Sequence, residues 1–527
     1  MDSTHLFELV IAMFVAIIAL HYIAHRLGLP PSVALLAGGA ILAFLPGLPA
    51  ITVDPELVLV IFLPPLLFDG AWSIAVERLR RHMLGIASLA IGAVFFTTAV
   101  IAVIVHLLMP SLPWAACAAL GAIVSPPDAV SARAVLERVK LPRRLQILLE
   151  GESLLNDASG LVLFRFAVAT VATGTFSAFD AVGTFTLLAA GGVAVGVVVG
   201  TIWVKLIRRL RDDYLIIAST ALLSWVAYLL GEQLHVSGVI ATVTTGLIAS
   251  WHHHTVFSAA TRMRGTSFWT VVIFLMEAAV FILIGLSLRD VIERGGGFGA
   301  VIESMAFPAV VVLLALVLAR FTWVFAADRI VCLCNSAGLA RTLPLGFGGA
   351  SVLGWAGVRG VVTLALALSL PEDFPERDFI LITAFVVIAG TVLIQGTTLG
   401  RVIAWAGLGE AETERAPMTM SQAEAAMAQV QFSTVQGLAY DEAGTLIHPQ
   451  LLKRYEHRAT AIIDYAARTE DYAPMLQAHF DVVLAAVAAG RRELIRLHRA
   501  GEIDDETLRE LERDLDLEEL SSISAKA

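Results

Sequence analysis

Charge is scarce in this 527-residue chain. Asp, Glu, Lys and Arg make up only 16% of it, while 57% is hydrophobic. A soluble protein of this length needs far more charge to cover its surface. Cysteine is scarcer still. Cys117 sits in one apolar run and Cys332 and Cys334 at the end of another, a pattern of neither a disulfide framework nor a zinc site. HExxH and GxSxG motifs are absent, and no nucleophile–base pair stands out, which argues against a membrane-embedded enzyme. Lysine is missing from the apolar runs except for Lys205, near the end of one. Net positive charge is missing too. The chain carries −10, and residues 408–527, with 12 Lys and Arg against 22 Asp and Glu, hold all of it. So acidic a tail argues against nucleic acid and against an electrostatic anchor to anionic lipid.

What is abundant is apolar sequence in runs near the ~20 residues that cross ~30 Å of hydrocarbon. Thirteen spans are expected, at 5–25, 31–47, 55–73, 83–109, 114–137, 145–172, 180–207, 213–232, 236–250, 267–288, 302–330, 347–370 and 378–405. The first lacks a small-residue cleavage site and reads as a retained helix. Basic residues collect in alternate loops: Arg78, Arg80 and Arg81; Arg138, Lys140, Arg143 and Arg144; Lys205, Arg208, Arg209 and Arg211; Arg262 and Arg264; Arg341. The other loops hold only Arg289, Arg294 and Arg377. This bias places the N-terminus outside and the tail in the cytoplasm. The expected organisation is an all-α, multi-pass membrane domain over 1–407 and an acidic helical tail over 408–527. The tail's helical patterns suit a small bundle or dimer contact; regulation by pH or a partner is the alternative.

Two spans do not read as continuous helices. Span five contains "SPPD", where Pro126 and Pro127 remove backbone donors. Span twelve contains "GWAGVRG", whose glycines weaken a helix at mid-membrane. Ordinary kinks in packed helices are one explanation. The other is a transport site between inverted repeats, since interrupted helices in corresponding positions of two halves mark such sites. Spans 1–6 and 8–13 would be the halves, with span seven joining them.

Into span six, "LLEGESLLNDASGLVLF", the chain places Glu150, Glu152 and Asp157. A mid-bilayer carboxylate costs roughly 2.5–3.5 kcal/mol, against ~0.3–0.6 returned by an aliphatic residue. Such acids face a watery cavity or a partner charge. Ser153, Asn156 and Asp157 stand at i, i+3 and i+4 on one helix face and offer hydroxyl, amide and carboxylate oxygen. Oxygen suits a hard cation such as sodium. Asp128 lies in the break of span five, beside the backbone carbonyls of Pro126 and Pro127, and Asp69 near the end of span three. Glu152 lies off that face; Arg320, alone deep in span eleven, is its expected partner in a structural ion pair. Arg359, in the second break, could repel a cation, neutralise an acid or bind helix C-terminal carbonyls. His252, His253 and His254 fall in an expected loop; consecutive residues on a helix would point in different directions, so no tridentate metal site is expected there. Glu277 is a further intramembrane acid, expected in a structural pair.

The motifs "GESLLNDA" (Gly151–Ala158), "SPPDAV" (Ser125–Val130), "LPPLLFD" (Leu63–Asp69), "GVRG" (Gly357–Gly360) and "QGTTL" (Gln395–Leu399) resemble the electroneutral sodium/proton exchangers of the monovalent cation–proton antiporter superfamily, in their bacterial form. The resemblance covers about 5–405 and not the tail. It implies a homodimer with a dimerisation domain, a mobile core domain and two unwound, crossing helices, spans five and twelve. It implies that Asp157 binds either cation or proton, with Asn156 marking the electroneutral branch. Asp128 matches the acid of the unwound-helix motif, where this chain has Pro127 and Ala129 in place of the usual Thr and Pro. A hydroxyl ligand is thereby lost. Asp69 stands where many bacterial members have Glu, and Glu152 and Arg320 match the family's salt bridge.

The expectation is a secondary transporter of the cell membrane, exchanging sodium for protons by alternating access. The cation site comprises Asp157, Ser153, Asp128, the Pro127 carbonyl and Asp69, and no cofactor is expected beyond the transported ions. Potassium/proton exchange is the near alternative. An ion channel is the distant one, because a channel needs a repeated filter and these acids cluster in one half of a single chain.

Overall fold

Apolar runs without water to satisfy their backbone become helices, and helix accounts for nearly all of the computed structural model. The structure describes residues 3–45, 55–74, 76–128, 141–174, 178–336, 344–408, 420–441, 444–467, 469–500 and 502–526. The first eight helices are α1 (Ser3–Leu27), α2 (Pro31–Ala43), α3 (Pro55–Ser73), α4 (Val76–Arg81), α5 (Met83–Leu108), α6 (Trp114–Val124), α7 (Arg143–Thr173) and α8 (Ala178–Ile207). There follow α9 (Asp213–Gln233), α10 (Gly238–Val256), α11 (Ala259–Arg294), α12 (Phe298–Ser304), α13 (Ala306–Ser336), α14 (Gly346–Trp355), α15 (Val361–Leu368) and α16 (Arg377–Trp405). Among the described residues seven helices are long and apolar enough to cross a membrane, and shorter apolar helices accompany them.

Local chemistry sets the ends. Proline precedes or opens α2, α6 and α7, where a missing N–H costs nothing. Asp212, Ser237 and Ser258 cap α9, α10 and α11 by accepting backbone N–H bonds. Gly174, at φ 72°, closes α7 in the left-handed conformation.

Two helices outrun their hydropathy limits. The ninth span, expected to stop at 250, continues to Val256 as α10 and carries His252, His253 and His254 on helix rather than in a loop. The tenth begins at Ala259, not 267, because Arg262, Arg264 and the threonines of its first turns are helical though polar. Hydropathy sees the hydrocarbon-facing part of a helix only.

Packing is densest within two groups. In one, α5, α6 and α7 pack with α13, α14, α15 and α16, around Ile101, Leu120, Leu316, Phe379 and Val387. In the other, α1, α2 and α3 pack with α8, α9, α10 and α11. There Gly39 and Gly285 bring the backbones of α2 and α11 together, and Trp203, Ile216 and Phe257 fill the space near α3. A one-turn widening of the helix interrupts α5 at Ser88–Ala93 and α16 at Thr391–Gly396. Such π-type turns free backbone carbonyls and recur at functional sites. In α5, Ser88 O takes the Trp323 indole N–H at 3.0 Å.

The chain divides into compact units 1–412 and 413–527. The second holds α17 (Met420–Leu438), α18 (Pro449–Ala467), α19 (Thr469–Arg499) and α20 (Asp505–Lys526), paired as hairpins α17–α18 and α19–α20. Arg491 joins α19 to α20 through Asp516, at 2.8 Å, and Glu519. Asp504 caps α20 by accepting the Thr507 N–H at 2.7 Å.

Candidate functional site

Helix α6 ends at Val124 because Pro126 and Pro127 cannot continue its ladder. Its last carbonyls would be orphaned in a dry interior. Arg359, 2% exposed, supplies donors from the second break: Nε to Val124 O at 2.7 Å and Nη2 to Ser125 O at 2.9 Å. Its Nη1 bonds Gly357 O, and its backbone N–H donates to Thr391 Oγ1 at 3.0 Å. Of the three roles open to Arg359 in the sequence, these contacts show it bonding helix C-terminal carbonyls. A backbone bond from Asp128 N to Val358 O, 2.7 Å, ties the breaks directly. Any Cβ at Gly360 would fall on the Asp128 carboxylate, so that approach requires glycine. Ala129 and the rest of span five to 137 lie outside the described residues.

Against this junction lies α7, unbroken from Arg143 to Thr173. Gly160 admits Pro126 where a side chain would collide. Asn156, fully buried, donates Nδ2 to Pro127 O at 2.6 Å. The amide therefore turns its nitrogen toward the break, and Oδ1 is buried with no hydrogen-bond partner. Pro127's carbonyl, expected as an ion ligand, thus already accepts one bond; its second lone pair remains.

Asp157, Ser153 and Asp128 line one cavity of about 50 Å³, with Glu150, Thr363, Gly360 and, from α3, Leu63, Leu67 and Gly70. That is room for a small ion together with a few waters. The cavity lies where α3 of the second group meets the two breaks and α7 of the first.

Asp69 does not line that space. Leu63, Leu66, Leu67 and Gly70 recur at helical spacing on one face of α3 and front the small cavity; Asp69, Trp72 and Ser73 form the next face. They line a larger cavity, about 510 Å³, within the second group, shared with Glu277, His21, His253, Arg262 and Trp269. His253 stacks near Trp72, ring centroids 4.9 Å apart, with its Nδ1 2.6 Å from Ser250 O.

Glu152 and Arg320 meet as a bidentate pair at 2.6 and 2.8 Å, exposed by 1% and 3%. Arg320 Nε also donates to Leu353 O, 3.2 Å, at the end of α14. The pair anchors α7 to α13 and to the second break. Thr363 and Thr391 carry no charge and match no spacing rule, so nothing in the sequence singled them out; only the break that brings them inward does.

A family model described as sodium/hydrogen exchanger, transmembrane, matches residues 10–405. An uncharacterised Na+/H+ exchanger of Mycobacterium tuberculosis is 31% identical across 97% of this chain and 95% of its own length. The sodium, potassium, lithium and rubidium/H+ antiporter of Bacillus subtilis is 33% identical across 74% of this chain and 60% of that protein. Among solved structures, the sodium proton antiporter MjNhaP1 of Methanocaldococcus jannaschii superposes with a TM-score of 0.60 at 21% identity, covering 77% of this chain and 100% of that one.

Proposed function

The chain belongs to the sodium/hydrogen exchanger family of cation–proton antiporters, secondary transporters rather than enzymes, and from that premise we propose that it exchanges one sodium ion for one proton at Asp157 by alternating access. The observation that carries this reading is a buried carboxylate on an unbroken helix, sharing a cavity with Asp128 and Ser153 where the end of α6 meets the break between α14 and α15.

The physics requires one site and two mutually exclusive ligands. A bare carboxylate crossing an apolar gate is costly, whereas one neutralised by a proton or by sodium is not. Only the loaded carrier moves, and that enforces exchange. One-for-one exchange transfers no net charge, so the ~2.3 kcal/mol per charge per 100 mV of membrane potential does no work on it. One pH unit, ~1.4 kcal/mol, then sustains about a tenfold cation gradient. The group holding α5–α7 and α13–α16 would rock against the other, with Asn156, Arg359 and the Glu152–Arg320 pair keeping α7 and both breaks moving as one body. The protein acts in the cell membrane as a homodimer, N-terminus outside and tail within, the orientation that loop arginines favour. Asp69 stands one helix face from the site and lines the larger cavity, where it would meet the ion on its approach.

The Bacillus relatives' names favour a second reading, in which potassium also serves as substrate. With Pro127 in place of a hydroxyl, the site offers one fewer discriminating ligand.

Purified protein in proteoliposomes, challenged with each alkali cation in turn without ionophore, tests the choice of ion, and repeating the sodium run with valinomycin and potassium setting the voltage tests the stoichiometry. Sodium is expected to drive proton movement at a rate indifferent to voltage. Turnover that follows the voltage would overturn the one-for-one stoichiometry.

A further inference from the structure

Arg165 and Glu232 form an ion pair at 3.0 Å that bridges the two helix groups. Arg165 belongs to α7, which packs chiefly on α6 and α5; Glu232 ends α9, which packs on α10, α3 and α8. Glu232 is held in place by a second bond, since its Oε1 accepts the Gly238 N–H, 3.3 Å, at the first residue of α10. It therefore marks the rigid corner between α9 and α10.

The position of the pair along α7 gives it meaning. Glu150, Ser153 and Asp157 line the small cavity, so that cavity follows α7 from Asp157 toward the Arg143 end. Arg165 lies eight residues the other way, about 12 Å toward Thr173. Phe164, just before Arg165, and Ala167, just after it, are buried in the first group's core. The acid thus has its cavity on one side and this cross-group tie on the other.

We propose that Arg165 and Glu232 form a latch that closes the Thr173 end of the seam between the groups, and that Asp157 reaches that side only when the pair parts. This rests on the alternating-access reading above. The contrast with Glu152–Arg320 supports it. That pair is buried and lies within one group, so rocking leaves it intact. Arg165 and Glu232 are 49% and 29% exposed and lie in different groups, so rocking must separate them. An exposed pair is also weak enough to break in each cycle. Both are positioning residues; neither touches the ion.

The test uses the full-length protein with Cys117, Cys332 and Cys334 replaced and a single reporter, Leu161→Cys, between Asp157 and Arg165. A membrane-impermeant thiol reagent is applied to intact cells and to inverted vesicles, which samples each side in turn. Arg165→Gln and Glu232→Gln are each expected to raise labelling from the Thr173 side about two- to fivefold, the range a surface pair commands. The charge swap Arg165→Glu with Glu232→Arg should return it to the parent level, which a merely structural role would not produce. In the Arg165→Cys, Glu232→Cys protein, a short bifunctional thiol reagent should stop sodium-dependent proton movement, and reduction should restore it. Unchanged labelling in both single variants, or full exchange by the crosslinked protein, would overturn the latch. Failure of the transport reading looks different: the parent would move no protons in response to any cation, while labelling would still report on the pair.

Discussion

Asn156 donates its side-chain N–H to the Pro127 carbonyl at 2.6 Å, so the residue beside the central acid holds the break in the neighbouring helix. Its action is on geometry first. Asn156→Ala leaves a buried carbonyl unpaired, a loss of about 1–3 kcal/mol. The expected result is a lower melting temperature in detergent together with slower exchange. Wild-type stability with slow exchange would instead point to a direct contact with the ion.

Asp157→Asn keeps the shape of the side chain and removes its charge. Sodium-dependent proton movement, followed with a pH-sensitive dye in proteoliposomes, should fall to the lipid background while size-exclusion behaviour and helicity stay normal. Normal exchange by this variant would remove Asp157 from the mechanism.

Glu152 and Arg320 allow a stability test separate from transport. Glu152→Gln strands the Arg320 guanidinium at 3% exposure and should cost about 3–5 kcal/mol. Replacing both, Glu152→Leu with Arg320→Met, should recover most of that loss, as buried ion pairs commonly do when exchanged for apolar packing. Thermal unfolding of the three proteins in detergent measures it. A double variant no more stable than the single one would mean that the pair's other contact, Arg320 Nε to Leu353 O, matters more.

The tail carries its own pH dependence. Bonding to Thr507 holds the Asp504 carboxyl below its ordinary value, its side chain contributing most and its backbone N–H next. A depressed carboxylate stabilises the fold above the unfolded-state value, and that contribution disappears as pH falls through the folded one. Hydrogen-exchange protection across 505–510 in the full-length protein, taken relative to the intrinsic amide rate at each pH, should therefore be high at neutral pH and fall in acid, below about pH 4. Asp504→Ala should lower it at neutral pH and remove its pH dependence, with α17 and α18 unaffected.

Much of this protein was legible before folding. Apolar runs mark membrane helices because an unsatisfied backbone cannot face hydrocarbon, and "SPPD" and "GWAGVRG" mark two breaks because proline lacks an N–H and glycine lacks a side chain. Less legible were helix ends such as the start of α11 at 259–264, where polar residues at the membrane border continue a helix that hydropathy stops counting.

By itself, then, the sequence determined an all-helical membrane protein, two spans that do not read as continuous and a carboxylate too costly to bury without a purpose, since each of these depends on local composition and on spacing along one helix; its likeness to the exchangers rests on motifs such as "GESLLNDA". Tertiary structure alone decided that Arg359 closes the end of α6, that Asn156 faces Pro127 rather than the cavity, that Asp69 fronts a different cavity from Asp157, and that Arg165 meets Glu232. Those relationships join residues 29 to 235 positions apart, and the distance between side chains so far separated in the chain is set by how helices pack, which no local pattern records.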